Sequence, residues 1–279
     1  MCRMKFSWLI LLLALPGFSP SAHAGADDAL LTSIRKTGEV KVAMGSAPPW
    51  MFVSPTGEPK GITVDLMNKV LKGMGLPTLT PVLTAWDAMI PALQARQVDF
   101  VAPGLNVTEE RCKVLVYSAP TFIMHDALYV LPDNPRQLAS YADVARNPDV
   151  KLAVVTASTQ QAYALSHGIK PEQLVRVTDI QAGAATVTGG RANAFAVGQF
   201  SIADPEQKGL HREVDSQSPI SVLGVAFRKE DVRFRDAFNE QLNLLRGNGV
   251  MKELYAGKGI DWDTLARLTK VSDVMPSCE

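Results

Sequence analysis

The stretch Asp99-Phe100-Val101-Ala102-Pro103-Gly104-Leu105-Asn106-Val107-Thr108-Glu109-Glu110-Arg111 reads as one strand–turn–helix unit. Residues 99–102 predict a short buried strand, and Pro103-Gly104 stops it with turn-forming residues. Thr108 has the side chain of a helix N-cap. Glu109 and Glu110 then fall in the first turn, where the positive end of the helix dipole favours carboxylates. Helix and strand signals alternate on both sides of this unit, which predicts an α/β fold.

Upstream, residues 29–36 predict a helix and residues 39–44 a strand. Gly61 precedes a helix with Ile62, Leu66, Met67, Val70 and Leu71 on one face. Thr84 is read as the cap of a helix that starts near Ala85, with Met89, Ile90 and Leu93 on its buried side. Downstream, strands are expected at 127–131, Leu152–Val155, 194–197 and 221–227, and a helix at 159–165. The final long helix, 232–246, aligns Phe234, Phe238, Leu242 and Leu245, and Gly247 is read as its end. Residues 132–135 read as a loop, and no repeat or heptad run is present.

Residues 1–24 have the layout of a secretory signal peptide. Arg3 and Lys5 supply positive charge, residues 8–15 an apolar run too short to span a bilayer, and Ala22-His23-Ala24 a cleavage site. An exported, periplasmic protein without stable membrane insertion is expected. The whole chain has 28 basic and 28 acidic residues. Removal of Arg3 and Lys5 leaves it slightly acidic, which argues against a nucleic acid partner. Cys112 and Cys278 remain after cleavage. In an oxidising compartment they are predicted to pair, the alternative being two free thiols.

The ordered set of Ala47-Pro-Pro-Trp50, Gly61-Ile-Thr-Val-Asp-Leu66, residues 85–99, the 99–111 unit and residues 116–120 resembles the amino-acid-binding family of periplasmic solute-binding proteins serving ABC importers. The resemblance covers nearly the whole chain beyond residue 24. It implies a type II periplasmic binding fold, with two α/β lobes joined by two crossing hinge strands. Lobe 1 would comprise 25–123 plus 223–279 and lobe 2 124–222, with crossings near 124–130 and 221–225. Within the family the chain resembles the ectoine- and hydroxyectoine-binding proteins, through residues 88–99, Glu110-Arg111-Cys112 and the cysteine near the C-terminus.

Carried over residue by residue, the resemblance implies that Arg111 holds a ligand carboxylate. A guanidinium offers a planar fork of donors that matches two carboxylate oxygens. Gly104 and Asn106 would present polar groups beside it. Ser158 and Thr159 would grip the same carboxylate from lobe 2, with Ser158 standing where the family has glycine, so that its backbone angle is in question. Trp50 and Trp86 occupy the family's aromatic positions, which suit a cation. Phe52 and Phe122 are weaker candidates.

Two departures narrow the ligand. Relatives that bind α-amino acids carry a lobe 2 aspartate for the ammonium, and the matching residue here is Gly198. Ectoine-type relatives place a glutamate before the Pro-Pro pair and an aromatic inside the Gly-x-x motif, where this chain has Ala47 and Asn106. The expected ligand is a small zwitterion with a delocalised or alkylated positive charge. Transfer to ABC importer membrane subunits by a monomer is expected, with no cofactor, no metal and no catalytic residue. His125, His167 and His211 share no helix-face spacing, and no HExxH, phosphate loop or GxSxG turn occurs. The alternatives from other classes are a cyclohexadienyl dehydratase, which needs an acid poised in the cleft, and a sensor module for a receptor.

Overall fold

A computed structural model describes residues 28–278. The predicted signal peptide lies outside them. Two five-stranded sheets organise the chain. The first has the order Leu79–Leu83, Val40–Met44, Phe100–Val101, Ala226–Arg228, Leu115–Tyr117. Its first three strands are parallel, and Ala226–Arg228 runs against both neighbours. The second has the order Leu174–Val177, Leu152–Val155, Ala194–Gly198, Asp126–Val130, His211–Val214, with Asp126–Val130 antiparallel to both strands beside it. Covered parallel strands read as unbroken apolar runs, and Leu152–Val155 is buried at every residue.

Between the sheets runs an antiparallel ribbon, Phe122–Met124 against Ser221–Leu223. The chain leaves the first sheet through one strand of this ribbon and returns through the other. Two adjacent crossings of this kind restrict the lobes to hinge motion. The first crossing begins two residues earlier than expected, because Asp126–Val130 already belongs to the second sheet.

Other expectations need correction. Residues 221–227 are two strands, Ser221–Leu223 and Ala226–Arg228. The break at Gly224 is where the chain passes from the ribbon into the first sheet, and a Cβ there would press on the Ser118 carbonyl at 3.1 Å. Thr84 does not cap a helix. Its hydroxyl donates to the Val82 carbonyl at 2.9 Å, and a single 3-10 turn, Trp86–Ala88, leads into the helix Met89–Gln94. Gly247 is the last helical residue, and Asn248 is the cap.

The long helix Val232–Gly247 docks on the first sheet through rings. Phe227 stands 5.8 Å from Phe234 and 5.6 Å from Phe238, and Phe100 is 5.5 Å from Phe227. Each of these side chains is essentially without solvent exposure. Cys112 and Cys278 are disulfide-bonded, which fastens the C-terminal tail to the helix Glu109–Cys112.

Candidate functional site

Thr108 caps the helix Glu109–Cys112 as the sequence predicts, its hydroxyl accepting from the Arg111 N–H at 3.2 Å. That short helix turns the Arg111 side chain inward. Its Nη1 donates to the Asn106 carbonyl at 2.9 Å, and its Nη2 reaches the Ala157 carbonyl of the second lobe at 3.4 Å. Burial pulls the guanidinium below the usual arginine range, and Tyr117 beside it works the other way. Burial also pushes the Tyr117 hydroxyl up to about 12. Among the described residues Arg111 has no carboxylate as a salt-bridge partner. A desolvated cation held by carbonyl oxygens and the Tyr117 hydroxyl, with no carboxylate beside it, is under-compensated and attracts an anion.

The second lobe meets this arginine with the start of the helix Thr159–Ser166. Ser158 is its N-cap, the hydroxyl accepting from the Gln161 N–H at 3.1 Å. The backbone angle in question does not fall on Ser158, which is extended. The left-handed residue is Ala157, at φ 59°. Asn106 ties three elements together. Its Nδ2 donates to Thr159 Oγ1 at 2.5 Å in the second lobe and to Ser221 Oγ at 3.0 Å in the ribbon.

Aromatic rings form the rest of the walls. Trp86 is slotted between Gly45 and Gly104, where a Cβ on either glycine would come within 2.6 Å of the indole. Glycine at 104 therefore makes room for a ring, a role its sequence context does not reveal. The Trp50 indole N–H donates to the Phe200 carbonyl across the lobes at 2.6 Å. Its ring meets Phe122 edge-on at 4.6 Å, and Phe122 meets Phe200 edge-on at 5.9 Å.

Trp50, Trp86, Gly104, Asn106, Arg111, Ser158 and Thr159 all line one cavity of about 110 Å³ between the lobes. Phe122 joins them, whereas Phe52 does not. Sequence reasoning missed Phe200, Met124 and Gln160, which also line it. Phe200 and Met124 sit where strands leave the sheet and the ribbon, so only the lobe arrangement brings them in.

Residues 40–257 match the bacterial extracellular solute-binding proteins, family 3. The chain belongs to this family. A probable amino-acid ABC transporter periplasmic-binding protein of Sinorhizobium fredii is 29% identical over 91% of this chain and 87% of its own length. The L-arginine-binding protein of Pseudomonas aeruginosa is 25% identical over 77% of this chain and 85% of its own. The crystal structure of EhuB in complex with hydroxyectoine matches with a TM-score of 0.83 at 28% identity, covering 91% of this chain and 99% of that one. The ancestral amino acid-binding protein AncCDT-1, a precursor of cyclohexadienyl dehydratase, matches with a TM-score of 0.72 at 28% identity, covering 81% and 97%. As a family 3 protein the chain is a solute-binding component of ABC importers, not an enzyme. Among the described residues no helix is long and apolar enough to cross a membrane.

Behind the family 3 cavity lies a buried carboxyl, Asp126. It accepts from Gln160 Nε2 at 2.7 Å and from the Tyr141 hydroxyl at 2.9 Å. Burial raises it above the ordinary carboxyl range; those two bonds oppose the rise and Asp215 adds to it. The native chain therefore keeps this proton to higher pH than the unfolded chain. Between the ordinary and the raised pKa the native state binds more protons, so stability falls as pH rises through that window. Asp126→Asn is expected to flatten that fall. Urea midpoints taken across roughly pH 3–8 check it, and an unchanged slope would refute it.

Proposed function

We propose that this chain is the periplasmic capture component of an ABC importer, closing its lobes as a monomer over a small zwitterion that it hands to the importer's membrane subunits. Lobe 1 comprises 25–123 plus 223–279, and lobe 2 comprises 124–222. Arg111 takes the ligand carboxylate, with Gly104, Asn106, Ser158 and Thr159 around it. Trp50 and Trp86, with Phe122 and Phe200, enclose the cationic part. A single observation carries this reading. The cavity lining offers one guanidinium and many apolar and aromatic surfaces, but no aspartate or glutamate.

That charge pattern suits an acid at one end and a delocalised or alkylated cation at the other. Ring faces attract such a cation without needing to accept its hydrogen bonds. A primary ammonium would leave water and find no carboxylate. The match to a structure holding hydroxyectoine supports the cyclic class. A cyclohexadienyl dehydratase would need an acid in the cavity, and the lining residues supply none. Isothermal titration with ectoine, hydroxyectoine, glycine betaine and proline betaine against arginine, histidine, glutamate and cystine tests the reading. Binding is expected within the first group. Tight binding of a standard α-amino acid, and of none of the first four, would reject it.

A further inference from the structure

Asp126, the first residue of the strand Asp126–Val130, is 4% exposed and is not among the residues that line the cavity. A run of hydrogen bonds nevertheless leads from the cavity to it. Asn106 Nδ2 donates to Thr159 Oγ1 at 2.5 Å. The Thr159 hydroxyl then donates onward to Gln160 Oε1 at 3.4 Å. Gln160 Nε2 donates to Asp126 Oδ1 at 2.7 Å, and the Tyr141 hydroxyl donates to Asp126 Oδ2 at 2.9 Å. Gln160 and Tyr141 are themselves buried. Every donor in the run points toward Asp126. An amide has one donor end and one acceptor end, so fixing Gln160 Nε2 on a carboxylate turns its Oε1 to Thr159. An ionised carboxylate only accepts, which fits two donors arriving on its two oxygens. A neutral acid brings a proton of its own, and one neighbour must then turn round. A charged end also strengthens the bonds behind it.

We propose that Asp126 is a positioning residue for ligand capture: as the ionised end of this relay it orients Gln160, and through Gln160 the Thr159 hydroxyl that meets Asn106 across the lobes. This rests on the reading that Asn106 and Thr159 stand at the ligand's carboxylate. Affinity is then tied to the charge on Asp126. Burial raises its carboxyl above the ordinary range; Gln160, Tyr141 and the neighbouring His125 oppose the rise, and Asp215 adds to it. Asp215 is held in place by the Tyr141 N–H at 3.1 Å. Tyr163, on the helix Thr159–Ser166, also feels the charge of both acids. Above the raised pKa the relay is ordered and affinity is full. As pH falls through that pKa, protonation removes the acceptor that orders it, and affinity falls. Binding favours the ionised form, so within that window it releases protons.

Calorimetric titration of the full chain with hydroxyectoine, from about pH 4.5 to pH 8, tests this, since an ordinary ligand carboxyl stays ionised across that range. Affinity is expected to fall about three- to tenfold toward the acid end. Asp126→Asn should bind at the reduced level with no pH dependence. Tyr141→Phe removes a donor that favours the ionised form, so the fall should move to higher pH; a ring that only fills space would leave it in place. His125→Gln should keep the fall, which assigns it to the carboxyl. A flat wild-type profile overturns the proposal. So does affinity that rises with acid, as repulsion between Asp126 and the ligand's acid would give, or a fall that vanishes with His125. A second measurement needs no ligand. Urea unfolding of Asp126→Asn, Thr159→Val and the double variant at neutral pH should give non-additive losses, because Gln160 joins the two side chains. Additive losses overturn the relay. If hydroxyectoine binds neither the wild type nor any variant, the ligand reading fails and this cycle alone decides the relay.

Discussion

Arg111→Ala is expected to cost about 3–5 kcal/mol of ligand binding, a loss of roughly two-hundred- to several-thousand-fold in affinity. The size follows from what the variant leaves behind. The ligand carboxylate would enter a space whose lining keeps the hydroxyls and amides of Asn106, Ser158 and Thr159 but holds no other cation, leaving its charge uncompensated. Fold collapse gives a different signature. Arg111 is partly buried and bonded to the Asn106 and Ala157 carbonyls without a carboxylate among the described residues, so its desolvation is costly. Its removal should leave Tm of the unliganded protein nearly unchanged. Arg111→Lys should recover only part of the affinity, because an ammonium keeps the charge and loses the planar fork. Calorimetry on the three proteins measures the ladder. An alanine variant with undiminished affinity would place the ligand's acid elsewhere.

Joint replacement of Cys112 and Cys278 by serine is expected to destabilise the protein by about 2–5 kcal/mol. The crosslink spans 166 residues of sequence, and so closes a very long loop in the unfolded chain. For a chain of this size that amounts to a fall in Tm on the order of 10 °C. The effect should reach the site as well. Cys112 directly follows Arg111 in a helix of four residues, and the tail segment Pro276–Cys278 packs against that helix. Without the crosslink the arginine is less firmly held, and a several-fold loss of affinity should accompany the loss of stability. Thermal scans and titrations on the double variant read both. Unchanged Tm would mean that packing alone secures the tail.

The parts of the fold that were legible announce themselves over a few consecutive residues. Thr108 with Glu109 and Glu110 is a complete cap, and it appears as read. Leu152–Val155 is apolar throughout because helices and sheet cover it on both faces, and its limits agree to the residue. The edge strands were invisible for a physical reason. Leu79–Leu83 carries Pro81, tolerated only where one strand side is free, and His211–Val214 has half-exposed polar residues. The ribbon and the Ala226 strand merge into one apolar run, and only the return into the first sheet separates them. The same division holds for the site. Arg111, Trp50 and Trp86 stand in recognisable surroundings, whereas Phe200 and Met124 become wall residues only when the lobes meet. Their neighbours along the chain carry no trace of it.

The hydrogen bond from the Trp50 indole to the Phe200 carbonyl gives this protein an optical gauge of its own conformation. With the lobes together the ring sits among phenylalanines and its N–H ends on protein oxygen. Swinging the lobes apart hands that N–H to water and strips Phe200 from one side of the ring, a change of polarity that shifts indole emission to longer wavelength. Opening is therefore expected to shift the Trp50 part of an emission that Trp86 and Trp262 share.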